Sequence, residues 1–213
     1  MVFPVAGSST HESPKADRSL PTPRPVSLKP EIMAVDQHAA RTMIEAMLDD
    51  IEGNWLIHGP SPTREQLQWN RRADQAVSIC GTLSSALGRH LPVDNCMACF
   101  VAGAPAGFML IDLDCHVSQW PYIVLMVTHP GSQGVGGLLI EHAVQRSLET
   151  GSLGALTLLA ENDNSRAAFK HLGFVQDSDH YLRLEPSTSE QWQHVEGRYR
   201  LRQTALQDTT APH

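Results

Sequence analysis

The chain reads as a mixed α/β fold whose C-terminal half alternates strands and helices. Three observations predict this. An apolar run, Tyr122–Thr128, has the composition of a buried strand. A turn with glycines at 131, 134, 136 and 137 follows, and then apolar residues at helical spacing: Val135, Leu138, Leu139, Ala143, Val144 and Leu148. A second apolar run, Leu156–Ala160, comes after Gly151, a natural helix stop.

The remaining elements follow from pattern and punctuation. Residues 1–30 are rich in Ser, Thr and Pro, with prolines at 4, 14, 21, 23, 25 and 30, and read as a flexible arm. From Glu31 to about Trp55, the spacing of Ala40, Met43, Ile44, Met47 and Ile51 predicts an amphipathic helix. Gly59-Pro60-Ser61-Pro62 breaks it, and Ser61-Pro62 makes a cap and first-turn pair for a second helix. That helix carries Ala73, Ala76, Val77, Cys80, Leu83 and Leu87 and ends near Gly88–Pro92. Two strands, 98–102 and 107–111, flank Gly103-Ala104-Pro105-Ala106 as a hairpin. Ser165–Leu172 reads as a short helix stopped by Gly173-Phe174. His180–Leu184 and Arg198–Leu201 are further strand candidates. The expected division is an arm at 1–30, one domain at 31–186, and a strand or tail at 187–213.

Composition bounds the function. At 213 residues with 41% apolar content, the chain fits one domain plus tails. A formal net charge of −7 gives no basic footprint for nucleic acid. No apolar run reaches the ~20 residues of a membrane span, and no secretory leader is evident, so a cytoplasmic protein is expected. Cys96 and Cys99 form a C-x-x-C, and Cys115-His116 lies further on. Neighbouring strand residues point to opposite faces, so no zinc site and no other metal is expected.

The glycine-rich join carries the chemistry. Glycines let backbone N–H groups approach a ligand closely, and a helix N-terminus adds unpaired donors and partial positive charge. Strand, glycine turn and helix together make a cradle for an anion, most often phosphate. Asn162 follows the next strand, and Phe169 lies on the short helix after it.

This arrangement resembles the GNAT superfamily of acetyl-CoA-dependent N-acetyltransferases. The likeness lies in Gly134-x-Gly136, Asn162, Phe169 and Gly173-Phe174. It is specific over 122–174, extends back to about Met97, and fades in the N-terminal third. Two frames fit the family loop. Gly131–Gly136 places Val135, Leu139 and Ile140 on the apolar helix face but has Gly131 where Arg or Gln is usual. Gln133–Leu138 supplies Gln133 but puts Glu141 on that face. The first frame is preferred. Phe169 stands where many relatives carry a proton-donating Tyr.

The resemblance implies a GNAT-like three-layer fold: a twisted, mixed, mostly antiparallel sheet of six or seven strands with about four flanking helices. It implies acetyl-CoA as cosubstrate and direct acetyl transfer to a primary amine on a small molecule, a peptide N-terminus or a lysine. The coenzyme would contact Leu125, Met126 and Val127 of the first parallel strand, then Gly131, Gln133, Gly134, Val135, Gly136 and Gly137, with Asn162 and Phe169 nearby. Asn162 is equally suited to capping the helix after it. Asp112, Asp114, His116 and Tyr122 are candidates for removing the amine proton, and His171 for replacing the missing acid. A homodimer is compatible with the likeness. Two alternatives follow from particular features: a non-catalytic acyl-CoA-binding module, from Phe169, and a secreted effector acetylating a macromolecule, from the arm.

Overall fold

The computed structural model describes residues 30–59, 61–87, 96–115, 119–178 and 180–202. Most of the expected arm and the candidate His116 lie outside these residues. The chain runs β1 (Glu31–Ala34), α1 (Gln37–Asp50), a π-helical turn (Ile51–Trp55), α2 (Arg64–Leu87), β2 (Cys96–Val101), β3 (Ala104–Asp112), β4 (Tyr122–Thr128) and α3 (Val135–Glu149). It continues with β5 (Leu156–Leu159), α4 (Asp163–His171), β6 (Val175–Gln176), β7 (Tyr181–Leu184), β8 (Trp192–Val195) and β9 (Arg198–Leu201).

Seven strands form one sheet in the order β1-β2-β3-β4-β5-β7-β6. Every neighbouring pair in it is antiparallel except β4 and β5. A parallel pair needs a crossover, and α3 supplies it. The expected three-layer arrangement is what the structure shows. Alternation along the strands builds a core on each face of the sheet. Met97, Met109, Ile111 and Ile123 pack with Val135, Leu139, Ile140 and Val144 of α3. Ala98, Phe108, Leu110 and Val127 pack with Ile44, Met47, Leu83 and Leu87 of α1 and α2. Burial on both faces explains why the central strands read as unbroken apolar runs. Val135, Leu139 and Ile140 are fully buried, as the preferred frame requires.

Several boundaries differ from the expectation. Glu31–Ala34 is an edge strand paired with β2, not the start of a helix. The helix begins after Asp36, whose carboxylate accepts the Ala39 N–H at 2.8 Å. Pairing with β2 is a tertiary gain that the local pattern does not record. The second helix starts at Arg64 rather than at Ser61-Pro62. Thr63 and Gln66 form a reciprocal capping pair: the Thr63 N–H donates to Gln66 Oε1 at 2.8 Å, and the Gln66 N–H to Thr63 Oγ1 at 3.2 Å. The β2–β3 turn is tighter than 103–106. Its central residues are Ala102 and Gly103, with φ of 53° and 75°, as a right-twisting two-residue hairpin demands.

After residue 187 the chain forms the β8–β9 hairpin and packs back on α3. Arg200 pairs with Glu141 at 3.0 Å, and the Leu201 N–H donates to the same carboxylate at 2.8 Å. The Trp192 indole donates to the Leu172 carbonyl at 2.9 Å. Glu141, which the rejected frame would have turned into the core, serves this hairpin.

Candidate active site cleft

β4 and β5 stay paired over only two positions, Tyr122–Thr157 and Ile123–Leu158. The register of β4 against β3 then slips, because Leu110 faces Leu125 while Ile111 faces Ile123. Val124 is the extra residue of a bulge, which bends its strand. Beyond it β4 parts from β5, and a small open cleft lies between them. Leu125, Met126, Leu158, Leu159, Ser165 and Phe169 line it. Gln75 and Ile79 of α2 close the other side, and Glu161 brings a carboxylate to the rim.

The backbone of β4 is polarised across this gap. His129 donates its N–H to the Ala106 carbonyl at 2.9 Å. Alternation along an antiparallel pair then turns Val127 and Leu125 toward β3, and Met126 and Thr128 toward the cleft. Of the three residues expected to offer backbone to a ligand, Met126 is therefore the one whose backbone faces the gap. Leu125 contributes its side chain to the lining, and Val127 is core.

Met126, which lines the cleft, also lies beside the N-terminus of α3. Gly134 is the cap residue, in the left-handed region at φ 80°, where a side chain would be strained. Leu138 is the residue whose N–H returns to the Gly134 carbonyl, at 3.2 Å. The N–H groups of Val135, Gly136 and Gly137 thus precede the first intrahelical bond and have no helical carbonyl to reach. Gly136 borders the cleft strand: a Cβ there would sit 3.7 Å from Thr128 Cγ2 and 3.9 Å from Met126 Cε. Gly137 is crowded instead by Leu201, 3.1 Å from its Cβ position. Gln133 is exposed beside the cap.

Gly131 does not fit its expected place in the cradle. It is buried, and a Cβ on it would overlap the Trp55 ring. Its N–H already donates to Nδ1 of His129 at 3.1 Å. Glycine is needed here for packing, and the donor is spent within the loop. Asn162 also has a structural duty. Its Oδ1 accepts the Ser165 N–H at 2.9 Å, and its own N–H donates to Ser165 Oγ at 3.2 Å, which caps α4.

The proton-transfer candidates separate. Asp114 is exposed beyond the end of β3, with its N–H on Asp112 Oδ1 at 3.1 Å. His171 is exposed on α4. Tyr122 is half-buried and hydrogen-bonded to the backbone of Leu159, a cleft-lining residue. Burial pushes its phenol upward, with Tyr181 and Cys115 adding to the rise and the Leu159 bond opposing it. Such a phenol keeps its proton and suits donation better than abstraction. Phe169 leans on Phe174 with ring centroids 5.4 Å apart, while its other side lines the cleft.

Cys96 packs into the α1–α2 core and Cys99 into the α3 core, so the C-x-x-C straddles the sheet and cannot share an ion. Burial raises the thiols of Cys80, Cys96 and Cys99 to about 11. Sequence reasoning missed Gln75, Ile79 and Glu161, which only the closure of α2 and β5 on the cleft brings together. It also missed His129. A histidine immediately after a strand and before Pro-Gly was its one available signal.

A scan against models of known families finds no match, and a search of curated proteins finds none either. Solved structures do resemble the chain. One is the PaiA N-acetyltransferase of Thermoplasma acidophilum in complex with coenzyme A: 16% identity, TM-score 0.44, 73% of this chain and 98% of that one. A probable acetyltransferase from Staphylococcus epidermidis matches at 16% identity and TM-score 0.45, with the same coverage. Ard1 from Thermoplasma volcanium matches at 17% identity and TM-score 0.41, over 72% and 94%. The chain's own cleft, rather than these likenesses, carries the functional reading.

Proposed function

We propose that this protein is an acetyl-CoA-dependent N-acetyltransferase that acetylates a primary amine. One observation carries the reading. Two parallel strands part after two paired positions, which leaves the Met126 backbone facing the gap, and Met126 and Thr128 lie beside the glycine-rich start of α3. That shape suits a long, thin thioester ending in a pyrophosphate. The arm would pair with Met126 as an added strand would. The pyrophosphate would sit on the Gly134, Val135, Gly136 and Gly137 amides.

The chemistry needs little more. The amine nitrogen attacks the thioester carbonyl carbon, the C–N bond forms, and the C–S bond breaks. The Met126 N–H faces the developing oxyanion. Glu161 at the rim takes the amine proton through water, and the Tyr122 hydroxyl returns a proton to the thiolate. Holding both substrates in line supplies most of the rate. We assign the fold unit to residues 31–186 with its closing hairpin. Three buried reduced thiols suit a reducing compartment, and we place the enzyme in the cytoplasm.

Phe169 favours a second reading, a non-catalytic acyl-CoA-binding module, because its ring offers the cleft no proton. Calorimetric titration with acetyl-CoA, followed by thiol release over a panel of amines, separates the two. Binding with amine-dependent release supports the enzyme. Binding without release on any amine supports the module. No binding overturns both.

A further inference from the structure

His129 joins two layers that have no covalent reason to move together. Its ring is buried, with 3% of the residue exposed, at the point where β4 gives way to the cradle loop. Nδ1 accepts the Gly131 N–H, so the proton of a neutral ring lies on Nε2. Nε2 lies 3.1 Å from Oδ2 of Asp50, the last residue of α1. The other oxygen of Asp50 accepts from Asn54 Nδ2 at 2.8 Å, inside the π-helical turn. The imidazole stands edge-on to Trp55 at 4.8 Å, and Gly131 rests on the same indole. Trp55 stacks on Trp69 at 5.5 Å, and its carbonyl accepts the Trp69 indole N–H at 2.7 Å.

The loop is thus anchored to the α1–α2 layer rather than to α3, the helix it enters. Gly134, the helix cap, is three residues beyond Gly131, so the direction of the cap amides inherits the setting of this turn. We infer that His129 is a positioning residue for the coenzyme cradle, and that Asp50 fixes its ring. The inference rests on the proposed coenzyme site. Its physical basis is preorganisation: a loop already held in its binding geometry loses less entropy when a ligand arrives.

The two contacts, the Gly131 hydrogen bond and the approach to Asp50, can be separated by substitution. In His129→Asn, Oδ1 can accept the N–H two residues on, as asparagine does in Asx turns, but the side chain stops short of Asp50. In His129→Ala both contacts are gone. The readouts are amide hydrogen exchange over residues 129–138 in the unliganded protein and acetyl-CoA affinity by calorimetry, both below the melting temperature of each variant.

His129→Ala is expected to accelerate exchange in 129–138 while β3 and the rest of α3, beyond residue 138, keep their protection. It should weaken acetyl-CoA roughly three- to tenfold, the worth of one lost net hydrogen bond. His129→Asn is expected to recover most of both. Unchanged loop exchange in His129→Ala overturns the inference, and so does a His129→Asn variant no better than alanine. If the wild-type protein binds no acetyl-CoA, the coenzyme reading fails, and with it the functional half of the inference. The exchange pattern then still decides whether His129 orders the loop.

Discussion

Gly136→Ala pulls stability and binding in opposite directions. Gly136 is the second residue of α3, and its Cβ position has only ordinary contacts, at 3.7 Å from Thr128 Cγ2 and 3.9 Å from Met126 Cε. Its φ lies outside the left-handed region reserved for glycine. Alanine therefore costs nothing sterically in the folded chain. It removes backbone freedom from the unfolded one, a gain of about 0.5–1 kcal/mol. For a domain of this size that corresponds to a rise in melting temperature of about 1–4 °C. Binding should move the other way. Helical Cβ atoms tilt toward the N-terminus, so the new methyl would intrude where a pyrophosphate meets the cap amides. Affinity for acetyl-CoA should fall at least about tenfold, or 1.4 kcal/mol, and Gly136→Glu should remove binding altogether. Thermal melting and calorimetry on the same samples read both effects. A more stable variant that binds as tightly as the wild type would refute the placement of the cradle. A destabilised variant would refute the packing argument.

Gly107→Ala should destabilise the fold by about 1–3 kcal/mol, because its Cβ would lie 2.6 Å from Val135 Cγ1 and 3.2 Å from the Val127 carbonyl; a urea midpoint equal to wild type would show that α3 shifts freely on β3. His142 titrates below its ordinary 6.5, chiefly through burial and then through Arg146, with Glu149 opposing. The unfolded chain therefore binds the proton first, so stability is present above pH 6.5 and declines as pH falls toward the lowered value. His142→Gln should flatten that part of a stability–pH curve, and an unchanged slope would contradict it.

The local chemistry of the site was legible in the chain because it depends on neighbours in sequence. The run Tyr122–Thr128 is apolar throughout since both faces of β4 are covered, and the helix after it shows its buried side at Val135, Leu139 and Ile140. Gly134 announces a left-handed cap because other residues are strained there. Gly131 shows the limit of such reading. It looks like another cradle glycine, yet Trp55, some 76 positions earlier, is what forbids its side chain. Glu31–Ala34 shows the same limit in secondary structure, since a strand at a sheet edge is made by its partner β2.

By itself the sequence determined the order of elements from β2 to α4, the buried helix faces and the glycine-rich entry to α3. Each is set by steric preferences and periodicity within a few residues. Only the tertiary structure decided where β4 leaves β5, which β4 amides face the gap, that Gln75 and Glu161 meet at its rim, and that His129 reaches Asp50. Those depend on strand register and on contacts between distant segments, which no local pattern encodes.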